Sequence, residues 1–183
     1  MVKIPGIYDH KKQQKLFQTL LEGVDKKAGY GELFYFGVST GLRISDILTL
    51  KVADLGQKMQ VLEAKTGKIK QIDLPVELVH LLGDYVASRE LTPSDRLFPV
   101  SRQAVLSHFK RAGKRIGLPD VGTHTMRITY AWNVFCLTEC VFATQRALQH
   151  KYVSTTVGYL IGGVTWALEG LYGGKFKGIP PCI

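Results

Sequence analysis

A chain of 183 residues with 45% apolar and 21% charged side chains is long enough to bury one substantial core and gives no reason to expect two. Lys and Arg outnumber Asp and Glu by 24 to 15, and the resulting charge of +9 favours a polyanionic partner, nucleic acid or an anionic membrane surface, while saying nothing about fold. The longest uncharged run, Tyr152 to Leu168, is short for a bilayer span and carries three glycines and four Ser or Thr residues, so no membrane segment is expected.

The opening residues lack a basic-then-apolar pattern, so no secretory leader is expected. Cys136, Cys140 and Cys182 are odd in number and contain no CxxC pair, which argues against a disulfide framework and a zinc ribbon and for reduced packing thiols in a cytoplasmic protein.

Helical periodicity dominates the chain. Leu16, Phe17, Leu20, Leu21 and Val24 form one stripe behind an Asp9 cap, and Leu33, Phe34, Phe36, Gly37 and Val38 form a second, more fully buried segment. GLRISDILTL follows, a glycine turn opening a short helix. Met59, Val61, Ile69 and Ile72 lie in two strand-like runs joined around Lys65-Thr66-Gly67-Lys68, which reads as a β-hairpin with its lysines at the tip. Leu78, Leu81, Leu82 and Tyr85 mark another helix, followed by the polar, proline-containing stretch Thr92 to Arg96.

Ser101 then caps a helix in which Val105, Phe109, Ala112 and Ile116 face inward while Lys110, Arg111, Lys114 and Arg115 share the outer surface. That basic surface either lies along phosphates or is simply solvated. From Thr123 onward the pattern is of closely spaced helices, broken at Gly162-Gly163 and trailing off in Gly173-Gly174 and Pro180-Pro181. The expected fold class is α+β, mainly α-helical: one domain over residues 1–183, with a small antiparallel β-hairpin packed on helices and residues 162–183 as a C-terminal helix and tail.

Four pieces invite a joint reading: Arg43 after the glycine turn, Lys65 on the hairpin tip, His124-x-x-Arg127 at a helix start, and the segment from His150 to Tyr159. A phosphodiester under nucleophilic attack needs its developing charge held by fixed cations, and guanidinium groups grip phosphate oxygens in a bidentate fork. Arg43 and Arg127 are candidates for that clamp. The attacking group must lose a proton and the leaving oxygen must gain one; His124 and Lys65 are of the right types to serve. Taken singly, each piece is as readily structural.

In order and spacing the pieces resemble the tyrosine recombinases, the phage-integrase family of site-specific DNA recombinases. TGLRISDILTL, Thr40 to Leu50, is similar to that family's first arginine box, with Asp46 where the acid is usually Glu. LEAKTGKIKQIDLP, Leu62 to Pro75, is similar to its hairpin, and THTMRITYAW, Thr123 to Trp132, to its HxxR box. LQHKYVSTTVGY, Leu148 to Tyr159, is similar to its ending, in which the nucleophilic tyrosine stands nine positions after the histidine; Tyr159 fits and Tyr152 does not. Gln149 stands where glycine usually precedes that histidine, which puts the local backbone in question.

The resemblance implies that Tyr159 attacks the scissile phosphate to give a 3′-phosphotyrosyl link and a free 5′-hydroxyl. His124 would take the phenol proton, Arg43, Arg127 and His150 would hold the non-bridging oxygens, and Lys65 would protonate the leaving oxygen. No metal, nucleotide or other cofactor is implied. The partner implied is double-stranded DNA, touched by Lys68, Lys70, Arg102, Lys110, Arg111, Lys114 and Arg115, with self-association into a tetramer through the C-terminal segment. Gly158 and Gly162-Gly163 are either hinges for the tyrosine's segment or ordinary helix-ending glycines. No upstream clamp domain is expected, the first helix lying close to Met1. Two other readings use the same residues: nicking and closing alone, as in a type IB topoisomerase, and a DNA-binding module without catalysis.

Overall fold

The structure is a computed structural model and describes residues 6–23, 28–118 and 120–171. Val24, the Gly173-Gly174 and Pro180-Pro181 pairs and Cys182 lie outside the described residues. The elements in chain order are α1 (His10–Leu21), α2 (Tyr30–Thr40), α3 (Ile44–Ile47), a 3₁₀ turn (Val52–Asp54), β1 (Lys58–Leu62), β2 (Ile69–Asp73), α4 (Val76–Ser88), α5 (Arg102–Arg115), α6 (Thr125–Thr138), α7 (Val141–Leu148) and α8 (Val153–Leu171). The mainly helical α+β architecture with one antiparallel hairpin is as the sequence implies.

Local chemistry accounts for the starts and stops. Asp9 Oδ1 accepts from Lys11 N at 2.8 Å and opens α1, and Ser101 Oγ accepts from Ala104 N at 3.1 Å and opens α5. Gly41 ends α2 with φ 63°, a conformation that favours glycine, and a Cβ there would lie 2.2 Å from the Tyr130 ring. That turn delivers Arg43 at a fixed point.

The main core gathers Leu16, Leu33, Phe34, Leu78, Phe98, Phe109 and Met126, all at 1% exposure or less. A smaller cluster of Ala131, Trp132, Leu148 and Leu160 joins α6, α7 and α8, with Tyr8 and Tyr159 packed against it. Burial of Leu160 to 3% exposure contributes roughly 1.5–3 kcal/mol to seating α8 on its own chain.

The break expected at Gly162-Gly163 is absent, since α8 runs unbroken from Val153 to Leu171. A Cβ on Gly162 would stand 2.2 Å from Tyr8 Oη, and one on Gly163 2.2 Å from Trp132 Cε3. These glycines bring the helix close to two aromatic rings, so the helix-end reading does not hold for them. Gly158 lies inside the same helix with open space beside it.

In the hairpin Met59 pairs with Ile72 and Val61 with Lys70, and these four side chains point inward. Leu62 and Ile69, by contrast, are 65% and 59% exposed. Lys65 and Lys68 lie exposed between the strands, as expected, while Lys70 opposite Val61 turns inward for a reason found in the site below.

Candidate active site

Arg127, in the first turn of α6, is 1% exposed. Its Nη1 donates to Gly41 O at 2.6 Å and its Nη2 to Leu148 O at 2.8 Å, so one guanidinium joins the α2 turn to the end of α7. Arg43 follows the same turn at the start of α3. Between the two arginines lies Glu63, fully buried, with Oε2 3.0 Å from Arg43 Nη1 and Oε1 3.6 Å from Arg127 Nη1.

Arg127 Nε is buried with no hydrogen-bond partner, whereas the buried Arg43 Nη1 is engaged by Glu63 Oε2 at 3.0 Å. A buried donor without a partner is uncommon in folded proteins and suits an anionic ligand.

Tyr159, two turns into α8, meets both candidate histidines edge to face: ring centroids stand 5.2 Å from His124 at 88° and 4.9 Å from His150 at 87°. His150 Nδ1 lies 3.0 Å from Oγ1 of the fully buried Thr156, which orients the imidazole from within α8 itself. Burial and the charge of Arg43 push the Arg127 guanidinium down from its ordinary range, while Tyr159 and Glu63 act against that shift.

The electrostatics favour the neutral form of both histidines. Burial, then the charges of Arg127, Arg43 and Lys65, lower His124. Burial and then Arg127 and Arg43 take His150 down to about 4, Glu63 opposing. Burial raises the Glu63 carboxyl, but its contacts with Arg43 and Thr66 and the charges of Arg43 and Arg127 outweigh burial and hold it below its usual value.

The structure thus brings Arg43, Arg127, His124, His150 and Tyr159 into one cluster. Lys65 sits on the exposed turn between β1 and β2, and its charge is felt at His124.

Lys70 does not fit its expected role as a DNA contact. It is 5% exposed, its Nζ donates to Thr40 O at 2.7 Å, and it lies 5.1 Å over the Tyr130 ring. Burial, followed by the Arg127 charge, lowers its pKa to about 8. Period-two alternation turns it inward, against the end of α2 and near the arginines.

Lys68, in contrast, is exposed and lines an open cleft with Arg146, Gln149 and His150. Arg102, Lys110, Arg111, Lys114 and Arg115 are exposed along α5, which packs on α1 and α2.

The backbone at Gln149 keeps the form glycine would give. Gln149 takes φ 53° at the end of α7, and His150 N donates to Gln145 O at 3.1 Å. A non-glycine residue in this conformation costs on the order of 1–2 kcal/mol. Gln149 Nε2 offsets part of that by donating to Ile69 O at 3.3 Å, tying the histidine's turn to the hairpin.

Asp46 is buried as well, yet its Oδ1 accepts from Ala64 N at 3.2 Å. It therefore supports the Lys65 turn, and the carboxylate that meets Arg43 is Glu63. Glu63, Thr156 and Arg146 were not singled out by sequence reasoning. For Glu63 a signal exists: in the alternation Met59, Val61, Glu63 an acid occupies an inward position beside a candidate site lysine.

Comparison with known proteins identifies the family and the fold. The sequence profile of the phage integrase family matches residues 8–161. The probable integrase/recombinase YoeC of Bacillus subtilis (strain 168) is 32% identical over 137 residues, covering 70% of this chain and 75% of that protein. A tyrosine recombinase of Pseudothermotoga lettingae is 28% identical over 136 residues, 70% of this chain and 46% of its own length.

Among solved structures, the post-cleavage complex of XerH site-specific recombinase bound to palindromic difH substrate has the same fold, with a TM-score of 0.74 at 21% identity. The likeness covers 93% of this chain and 53% of the XerH chain. The catalytic domain of bacteriophage HP1 integrase matches with a TM-score of 0.66 at 17% identity, over 99% of this chain and 100% of that domain. With the family profile spanning most of its length and its two arginine boxes folded around one tyrosine, this chain belongs to the phage integrase family, the tyrosine recombinases.

Proposed function

We propose that the domain is a site-specific DNA recombinase that cuts and rejoins strands by two transesterifications on Tyr159. The Tyr159 oxygen attacks phosphorus and its proton passes to neutral His124. The bond from phosphorus to the 5′ oxygen breaks, and Lys65 protonates that oxygen. Arg43, Arg127 and His150 hold the non-bridging oxygens. A 5′-hydroxyl from the partner strand then reverses the sequence, so the phosphodiester's bond energy is retained in the phosphotyrosine throughout.

The observation that carries this reading is the placement of Tyr159 against two lowered imidazoles and the Arg127 guanidinium. A phenol with a pKa near 10 is a weak nucleophile at neutral pH, and it needs an adjacent neutral base together with charge compensation at phosphorus. In related structures XerH is bound to difH and lambda integrase to a COC′ core site, which supports double-stranded DNA as the partner. The assembly proposed is a tetramer on two DNA sites, for which Val153, Val157 and Ile161 on α8, 38%, 41% and 38% exposed, offer apolar surface.

The test is covalent trapping on a nicked suicide duplex. The wild-type chain is expected to form a protein–DNA adduct, Tyr159→Phe to form none while still shifting the duplex, and Tyr152→Phe to behave as wild type. An adduct that persists in Tyr159→Phe refutes the assignment.

A further inference from the structure

We infer that Glu63 is a positioning residue for the strand-cutting step, orienting Arg43 and Arg127 toward the scissile phosphate and locking their placement to the turn that carries Lys65. The inference rests on the function proposed above. Glu63 is fully buried and reaches both guanidinium groups, at 3.0 Å and 3.6 Å, while Thr66 Oγ1 donates to its Oε2 at 3.0 Å.

Its main chain closes the turn. Thr66 N and Gly67 N donate to Glu63 O at 3.2 and 2.9 Å, and Glu63 N donates to Lys68 O at 2.9 Å. Ala64 N is held separately by Asp46 Oδ1 at 3.2 Å. Lys65 is therefore carried on a turn built from the hydrogen bonds of the same residue whose carboxylate meets the arginines.

Affinity and chemistry make opposite demands on this carboxylate. For binding a polyanion it is unfavourable, because it cancels one of the positive charges that a phosphate meets. For chemistry it is favourable, because a guanidinium fixed on one edge is already oriented when the ligand arrives. Arg43 keeps 22% of its side chain exposed while so held, leaving part of the group accessible to a ligand.

The opposed demands yield a signature that a merely structural acid would not give. Glu63→Gln keeps the shape and an acceptor for Thr66 but removes the charge. It is expected to bind a labelled duplex at least as tightly as wild type, yet to cut a saturating suicide duplex about 10–100-fold more slowly. That is the range typical of partners that orient a directly acting group, and it is smaller than the roughly 10²–10³-fold lost with a direct charge donor such as Arg43 in Arg43→Ala. Glu63→Asp, which keeps the charge one methylene further back, should recover part of the rate.

Wild-type single-turnover rate in Glu63→Gln, with wild type forming its Tyr159 adduct, overturns this inference alone. Parallel loss of binding and cutting together with a lowered melting temperature reduces Glu63 to structural support and overturns it also. A wild-type chain that forms no adduct removes the proposed function and this inference together.

Discussion

His124 and Tyr159 meet edge to face, ring centroids 5.2 Å apart at 88°, with the imidazole held below its usual pKa by burial and by Arg127, Arg43 and Lys65. The relationship couples two requirements. The arginines that compensate the phosphate's charge also keep the neighbouring base unprotonated, so the same cations hold the anion and maintain the proton acceptor.

A pH profile follows from that coupling. A histidine whose folded pKa is lowered remains neutral, and able to accept a proton, at pH values where an ordinary imidazole has already charged. The acid limb of kcat/KM for cleavage, which reports the free enzyme, is therefore expected below 6.5, lost as pH falls through the lowered His124 value. His124→Gln should remove that limb and slow cleavage by about 10²–10⁴-fold. Cleavage of subsaturating suicide duplex between about pH 4.5 and 8.5 measures it, and an acid limb centred above 6.5 contradicts the neutral-base role.

Lys70 gives a prediction about stability. Its pKa of about 8 in the fold, against 10.5 ordinarily, reflects burial first and the Arg127 charge next, with Arg43 adding to the shift and Glu63 opposing it. Between these two values the unfolded chain retains a proton that the folded chain has lost, so the native state gains stability as pH rises through this window. Wild type should therefore gain thermal stability relative to Lys70→Met as pH rises from about 8 toward 10.5. The two proteins should bind DNA with the same salt dependence. Melting curves that move in parallel would mean that Lys70 titrates as an exposed lysine.

The boxes around Arg43 and His124-x-x-Arg127, and the nine-residue step from His150 to Tyr159, are spacings along the chain, and the fold preserves them as one cluster. Asp9 and Ser101 were readable because capping is local. Pairings between distant segments were not. The Glu63 bridge to Arg127 joins residues 64 positions apart, and Gly162 and Gly163 look like breakers until Tyr8 and Trp132 are placed against them. Lys70 was misread because charge outweighed alternation: in the pattern Lys70, Ile72, Leu74 it shares the buried side of the strand.

The basic surface of α5 supplies the last prediction. Lys110, Arg111, Lys114 and Arg115 are exposed, whereas Val105 and Phe109 on the same helix are fully buried, so charge changes on the outer side leave the packing intact. Lys110 and Lys114 stand one helical turn apart and share a face. Each phosphate neutralised contributes roughly −0.9 to the slope of log K against log salt. Reversing both charges is expected to flatten that slope by about two units if both lysines touch phosphates, with weaker binding across unrelated sequences because such contacts carry no base readout. Titration of a labelled duplex at several salt concentrations measures the slope. An unchanged slope would return α5 to a solvated face and leave Lys68, Arg146 and the catalytic arginines as the contacts that hold the duplex.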